Sequence, residues 1–161
     1  MELAINRILS EFKQIQNDPN YYYSVSMDNN NIYKWNFVML GPPGTIYEGG
    51  IFNGEILFPK SYPHNAPKIR FIFPIIHPNI YKDGRMCISI LHDGDDEFNY
   101  EHISERWKPT HSIDSVLISI LSVLGEPNFE SPANVDASIQ WQKNFNEYKK
   151  IIYRQVSETQ N

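Results

Sequence analysis

Between residues 22 and 73, four runs rich in aromatic and β-branched residues alternate with turn chemistry, and no other feature constrains the fold as tightly. The runs cover 22–27, 32–40, 52–58 and 68–73. Asp28-Asn29-Asn30-Asn31, Gly41-Pro42-Pro43-Gly44 and the proline-marked stretch 61–67 separate them. The series predicts a four-stranded antiparallel meander. Helical spacing flanks it on both sides. Ile5, Ile8, Leu9, Phe12 and Ile15 predict a helix over 2–16 that ends at Asn17-Asp18-Pro19. Ile113, Val116, Leu117, Ile120, Leu121 and Leu124 predict a core helix, with Ser112 as its cap and Gly125 plus Pro127 as its stop. A last helical region spans about 134–158, in one piece or two, with Trp141, Phe145, Tyr148, Ile152 and Val156 on its apolar stripe. The expected class is α/β (α+β), one domain over 1–161.

Composition narrows the function classes. With 161 residues, 41% hydrophobic and 20% charged, the chain can bury a core, which excludes global disorder. No run reaches the ~18 apolar residues of a membrane span, so direct membrane insertion is not expected. The opening residues lack the apolar core of a signal peptide, and no Asn-x-Ser/Thr acceptor occurs. The expected location is the cytoplasm or nucleus, with any membrane association made through a partner. Cys87 is the single cysteine, so no internal disulfide can form. A formal net charge of −5 argues against nucleic acid and for protein partners.

The stretch 75–107 shows no strong periodicity, and an irregular segment of that length in a compact domain is usually functional. Cys87 lies in it, just after Asp83-Gly84-Arg85, where a turn can present a thiol; the bland alternative is a small buried hydrophobe. His77, His92 and His102 are candidate bases for a Cys-His hydrolase. Asn79 stands eight residues before Cys87. Its amide can donate to an acyl-transfer oxyanion, or merely hold a turn. Gly41-Pro42-Pro43-Gly44-Thr45 is not a phosphate loop, because no Gly-Lys-Ser/Thr follows and two prolines remove backbone donors. It reads as a rigid hairpin connection. The segment 92–106 holds six carboxylates against Arg106, a balance equal to the whole formal excess. It fails as an EF-hand, since Phe98 falls on the required glycine and Ser104 on the bidentate glutamate. No metal site is predicted.

Together these pieces form an ordered set: Gly41-Pro42-Pro43-Gly44-Thr45-Ile46-Tyr47-Glu48-Gly49-Gly50 with Phe52, Phe58-Pro59, Tyr62-Pro63, His77-Pro78-Asn79, Cys87 and Trp107-x-Pro109. On these residues the chain resembles ubiquitin-conjugating enzymes over essentially its full length. Ile88-Ser89-Ile90-Leu91-His92, the acidic insert at about 92–106, Ser104-Glu105-Arg106-Trp107, Glu126-Pro127-Asn128 and the run from Ser131 to Ser138 resemble the acidic-loop subclass, which serves cullin-type or endoplasmic-reticulum-associated ligases. The resemblance implies a helix, a four-stranded meander and C-terminal helices around one core. It makes Cys87 the acceptor of ubiquitin from the activating enzyme. It makes Asn79, with His77 and Pro78, the group that stabilises the oxyanion or holds the loop framing it.

The partners implied are ubiquitin, the ubiquitin-activating enzyme, a RING-type ubiquitin ligase and a protein substrate, with polyubiquitin chains as the product. No cofactor is implied, because ATP is used by the activating enzyme. Arg7 and Lys13 are expected to face an acidic groove of the activating enzyme. His64, Asn128, Pro132 and Ala133 are expected at the ligase. The chain departs from the family where many members carry acids: Ser89 and Ser131 stand there, so Asp95, Asp96 and Glu97 of the insert are expected to handle the lysine. Ala66 also replaces the first residue of a Pro-Pro pair. The alternatives are conjugation of another ubiquitin-like modifier, or a noncatalytic scaffold that binds ubiquitin or a ligase.

Overall fold

The computed structural model describes residues 2–73, 75–94 and 105–161. The first helix, α1 (Glu2–Asn17), ends just before Pro19. Its inward face differs from the apolar pattern: Ala4, Ile8 and Ile15 are buried together with Glu11, whereas Leu9 is 41% exposed. Glu11 is tolerated there because its carboxylate is satisfied. The Tyr62 hydroxyl donates to it, as do the Ile113 N–H at 2.7 Å and Arg7 Nε at 3.0 Å. Periodicity of apolar residues cannot foresee a buried acid whose donors come from distant segments.

The predicted meander is present as β1 (Tyr23–Met27), β2 (Lys34–Leu40), β3 (Ile51–Leu57) and β4 (Lys68–Phe71), antiparallel in the order β1-β2-β3-β4. Alternation sends Trp35, Phe37 and Met39 of β2 inward, beside Phe52 and Ile56 of β3 and Ile69 and Phe71 of β4. Each such side chain contributes ~1.5–3 kcal/mol on full burial. Phe12 of α1 meets Trp35 edge-on at 5.3 Å, which seats the helix against the sheet. The β2–β3 connection is the expected tight loop. A Cβ on Gly41 would lie 1.7 Å from the Tyr47 carbonyl oxygen, so only glycine lets the loop close.

Helix α2 (Ile113–Gly125) adds Ile113, Val116, Leu117, Ile120 and Leu124 to the same core, and Ser112 caps it by accepting from the Ser115 N–H at 3.2 Å. The C-terminal region is two helices, α3 (Val135–Lys143) and α4 (Phe145–Thr159). Asn144, at φ −145° and ψ 58°, makes the break. Its N–H still reaches the Gln140 oxygen at 2.8 Å and its own carbonyl accepts from Tyr148 at 3.0 Å, so the kink strands neither group. Among the described residues no helix is long and apolar enough to cross a membrane.

Between β4 and α2 the chain forms a turn that leans on the sheet. Phe71 donates its N–H to Gly84 at 2.8 Å, and Met86 donates to Ile69 at 2.9 Å. Gly84 has φ +95°, and a Cβ there would stand 2.1 Å from the Phe71 carbonyl oxygen. Cys87 follows this turn directly, so the edge of the sheet sets where the thiol stands.

Candidate active site

Cys87 is half-buried at a cleft of about 420 Å³ that Asn79, His92, Glu105, Ser119, Asn128 and Ser131 help to line. Beneath the thiol lies a closed set of hydrogen bonds. The Asn79 N–H donates to His77 Nδ1 at 2.9 Å, so that nitrogen carries no proton; the proton is on Nε2, which donates to the Val123 carbonyl at 2.9 Å. Burial lowers the His77 pKa to about 4 and keeps the ring neutral. With both nitrogens engaged and no exposed surface, His77 is not available as a base for Cys87.

Asn79 is 2% exposed and clamps a loop. Its Nδ2 donates to the Asn128 carbonyl at 2.8 Å, and its Oδ1 accepts from the Asn128 N–H at 2.9 Å. Its own carbonyl accepts from the Cys87 N–H at 2.9 Å. Buried Pro78, one residue earlier, accepts from the Asn134 N–H at 3.0 Å. The loop carrying Asn128, Ser131, Pro132 and Ala133 is therefore fastened near both ends to His77-Pro78-Asn79.

Around the sulfur itself the groups are accessible. His92 Nε2 lies 3.5 Å from Cys87 Sγ. On another side stands Tyr81, 37% exposed, whose pKa is raised above 10 by the negative charge of the Cys87 thiolate and by burial. The Arg85 guanidinium packs over the Tyr81 ring at 4.6 Å and holds it in place. Tyr81 was not singled out from the sequence. Its position at the head of the Asp83-Gly84 turn, six residues before the cysteine, was the available signal. Glu105, at the far end of the acidic segment, stands out in the sequence as part of Ser104-Glu105-Arg106-Trp107 but carries no site role there.

The remaining expected site residues are spread over the surface. Ser89 and Ser131 both line the cleft with Cys87. Lys13 and His64 are exposed, and Pro132 and Ala133 are half-buried. Arg7 is engaged within the chain: its guanidinium bonds to Glu11 and donates to the His111 carbonyl at 2.7 Å, over the Tyr62 ring. Asp95, Asp96, Glu97 and His102 lie outside the described residues.

Comparison with known proteins agrees with this geometry. The profile of the ubiquitin-conjugating enzyme family matches residues 7–156. The chain is 45% identical to the probable ubiquitin-conjugating enzyme E2 7 of Caenorhabditis elegans, over 98% of this chain and 96% of that protein. It is 49% identical to ubiquitin-conjugating enzyme E2 7 of Arabidopsis thaliana, over 83% and 81% of the two chains. It is 42% identical to human ubiquitin-conjugating enzyme E2 G2, over 97% and 96%.

Proposed function

Since the chain belongs to the ubiquitin-conjugating enzyme family, we propose that Cys87 carries ubiquitin as a thioester and passes it to a lysine with the help of a RING-type ligase. The observation that carries this reading is the lone cysteine of the chain, half-exposed in a cleft with the His92 imidazole beside its sulfur. The Cys87 thiolate attacks the thioester carbonyl of ubiquitin on the activating enzyme. A new C–S bond forms, the old one breaks, and the activating enzyme's thiolate leaves. A lysine amine then attacks the same carbonyl and gives up a proton, and Cys87 departs as thiolate while the amide forms. Tyr81 and His92 stand where that departing charge develops. Asn79 acts mainly as a frame, because its Oδ1 and one of its two Nδ2 hydrogens hold the Asn128 backbone.

Incubation with ubiquitin, its activating enzyme and ATP should give an adduct on nonreducing gels that reductant removes and Cys87→Ala abolishes. A wild-type adduct that resists reductant, or one that survives in Cys87→Ala, would overturn the assignment. If the activating enzyme is charged and no adduct forms, another ubiquitin-like modifier is the next candidate. The acidic-loop character supports a further step: Asp95, Asp96 and Glu97 handle the incoming lysine during chain building. Neutralising all three should slow chain growth more than loading of Cys87. Equal slowing of both would remove that role.

A further inference from the structure

We propose that Asp93 is a positioning residue: by gripping the backbone of Ala66 it fixes the adjacent His92 against the Cys87 sulfur. Asp93 Oδ2 accepts the Ala66 N–H at 2.6 Å. The neighbouring His92 places Nε2 3.5 Å from Cys87 Sγ. Trp107 is tied to the same loop, since it donates its N–H to His92 at 3.0 Å and its indole Nε1–H to the Pro63 carbonyl at 2.8 Å. His92 and Trp107 are thus joined to each other and both are moored on the loop 61–67.

Sequence and geometry agree on why this contact exists. Ala66 is only 9% exposed, so its N–H needs an acceptor within the protein. Proline, the residue the family resemblance sets at this position, has no N–H, and a carboxylate at 93 would find no donor there. Alanine at 66 and aspartate at 93 are two halves of one charge-assisted contact. Asp93 is otherwise exposed, so its carboxylate keeps most of its hydration while it holds the loop. The side chain that benefits is His92, whose distance to the sulfur follows from where residue 93 is pinned.

The test reads the free thiol, so it does not depend on the conjugation reading. The rate of Cys87 alkylation by iodoacetamide is followed by mass spectrometry in the full chain and its variants. Asp93→Ala should slow alkylation roughly three-fold, the scale expected when one hydrogen bond to a thiolate is loosened. Asp93→Asn keeps an acceptor oxygen while removing the charge, and it should retain most of the wild-type rate. Ala66→Pro deletes the donor and should reproduce Asp93→Ala. In a His92→Ala chain, adding Asp93→Ala should change nothing. A wild-type rate in Asp93→Ala, or a full effect of Asp93→Ala in the His92→Ala chain, would overturn the proposal. A flat alkylation series with normal thioester formation refutes the Asp93 contact alone. Absence of a thioester in the wild type, with the alkylation pattern intact, refutes Cys87 as carrier alone.

Discussion

The two sides of the Cys87 cleft are built by opposite rules. Below the sulfur, His77 and Asn79 are almost wholly buried, and the ring nitrogens and side-chain amide all have protein partners. Above it, Tyr81, His92, Ser131 and Glu105 reach solvent. A buried polar group whose partners are all within the protein is costly to disturb, so the lower side acts as a frame. An accessible group can meet a substrate and be changed with little effect on folding. The contrast predicts that variants below the thiol lose stability and activity together, whereas variants around it lose rate alone.

Asn79→Ala gives the strongest test of the lower side. It removes both bonds to the backbone of Asn128, an exposed residue whose N–H and carbonyl water can then reach, a loss of roughly 1–3 kcal/mol. Urea unfolding should show the midpoint falling along with the rate of thioester discharge. If discharge collapses while the midpoint holds, Asn79 acts directly on the oxyanion and the division between the two sides fails.

His77 offers a test by pH. Its pKa is about 4 in the folded chain, against about 6.5 when exposed. Between those values the unfolded chain binds a proton that the folded chain refuses. Stability therefore falls as pH drops from 6.5 toward 4, by up to about 3 kcal/mol. Unfolding midpoints at pH 7.5, 6 and 5 should show this slope in the wild type and a weaker one in His77→Gln. Parallel slopes in the two proteins would mean that other groups carry the pH dependence.

The lower side was also the more legible of the two in the sequence. His77-Pro78-Asn79 and the stretch 126–134 stand out as strings, and their contacts join those two strings to each other. The meander and α2 were legible for a related reason: period-two and period-3.6 patterns are local. What the sequence hid depends on distant segments meeting. Glu11 occupies a core position only because Tyr62, Ile113 and Arg7 converge on it. Tyr81 gains its meaning from a turn held by β4, and Asp93 from a loop 27 residues away. No periodicity marks such pairings, because each is a single contact in irregular backbone.

Around the sulfur the effects should be smaller and confined to rate. Tyr81→Phe removes the hydroxyl whose ionisation is coupled to the neighbouring Cys87 and keeps the ring beneath Arg85. Removing one polar donor worth about 1 kcal/mol near the reacting sulfur should slow thioester formation about five-fold. The urea midpoint should stay where it was. A lowered midpoint would move Tyr81 into the frame.

Glu105 gives the smallest expected effect and separates two roles for a carboxylate near a nucleophile. It is exposed and lines the Cys87 cleft, where its carboxylate attracts a lysine ammonium that enters the cleft. A carboxylate 4 Å from an ammonium in water is worth about 1 kcal/mol, and that attraction is screened by salt. Glu105→Gln should therefore slow discharge to free lysine about three-fold at low ionic strength, mainly through a higher KM, and hardly at all in 1 M salt, where the Debye length is about 3 Å. Loading of Cys87 should not change. If Glu105 instead takes the proton from the attacking amine, the loss will fall on kcat and persist in salt, because proton transfer within hydrogen-bond reach is not screened. The salt series thus shows whether the accessible side of the cleft only gathers the lysine or also performs a chemical step.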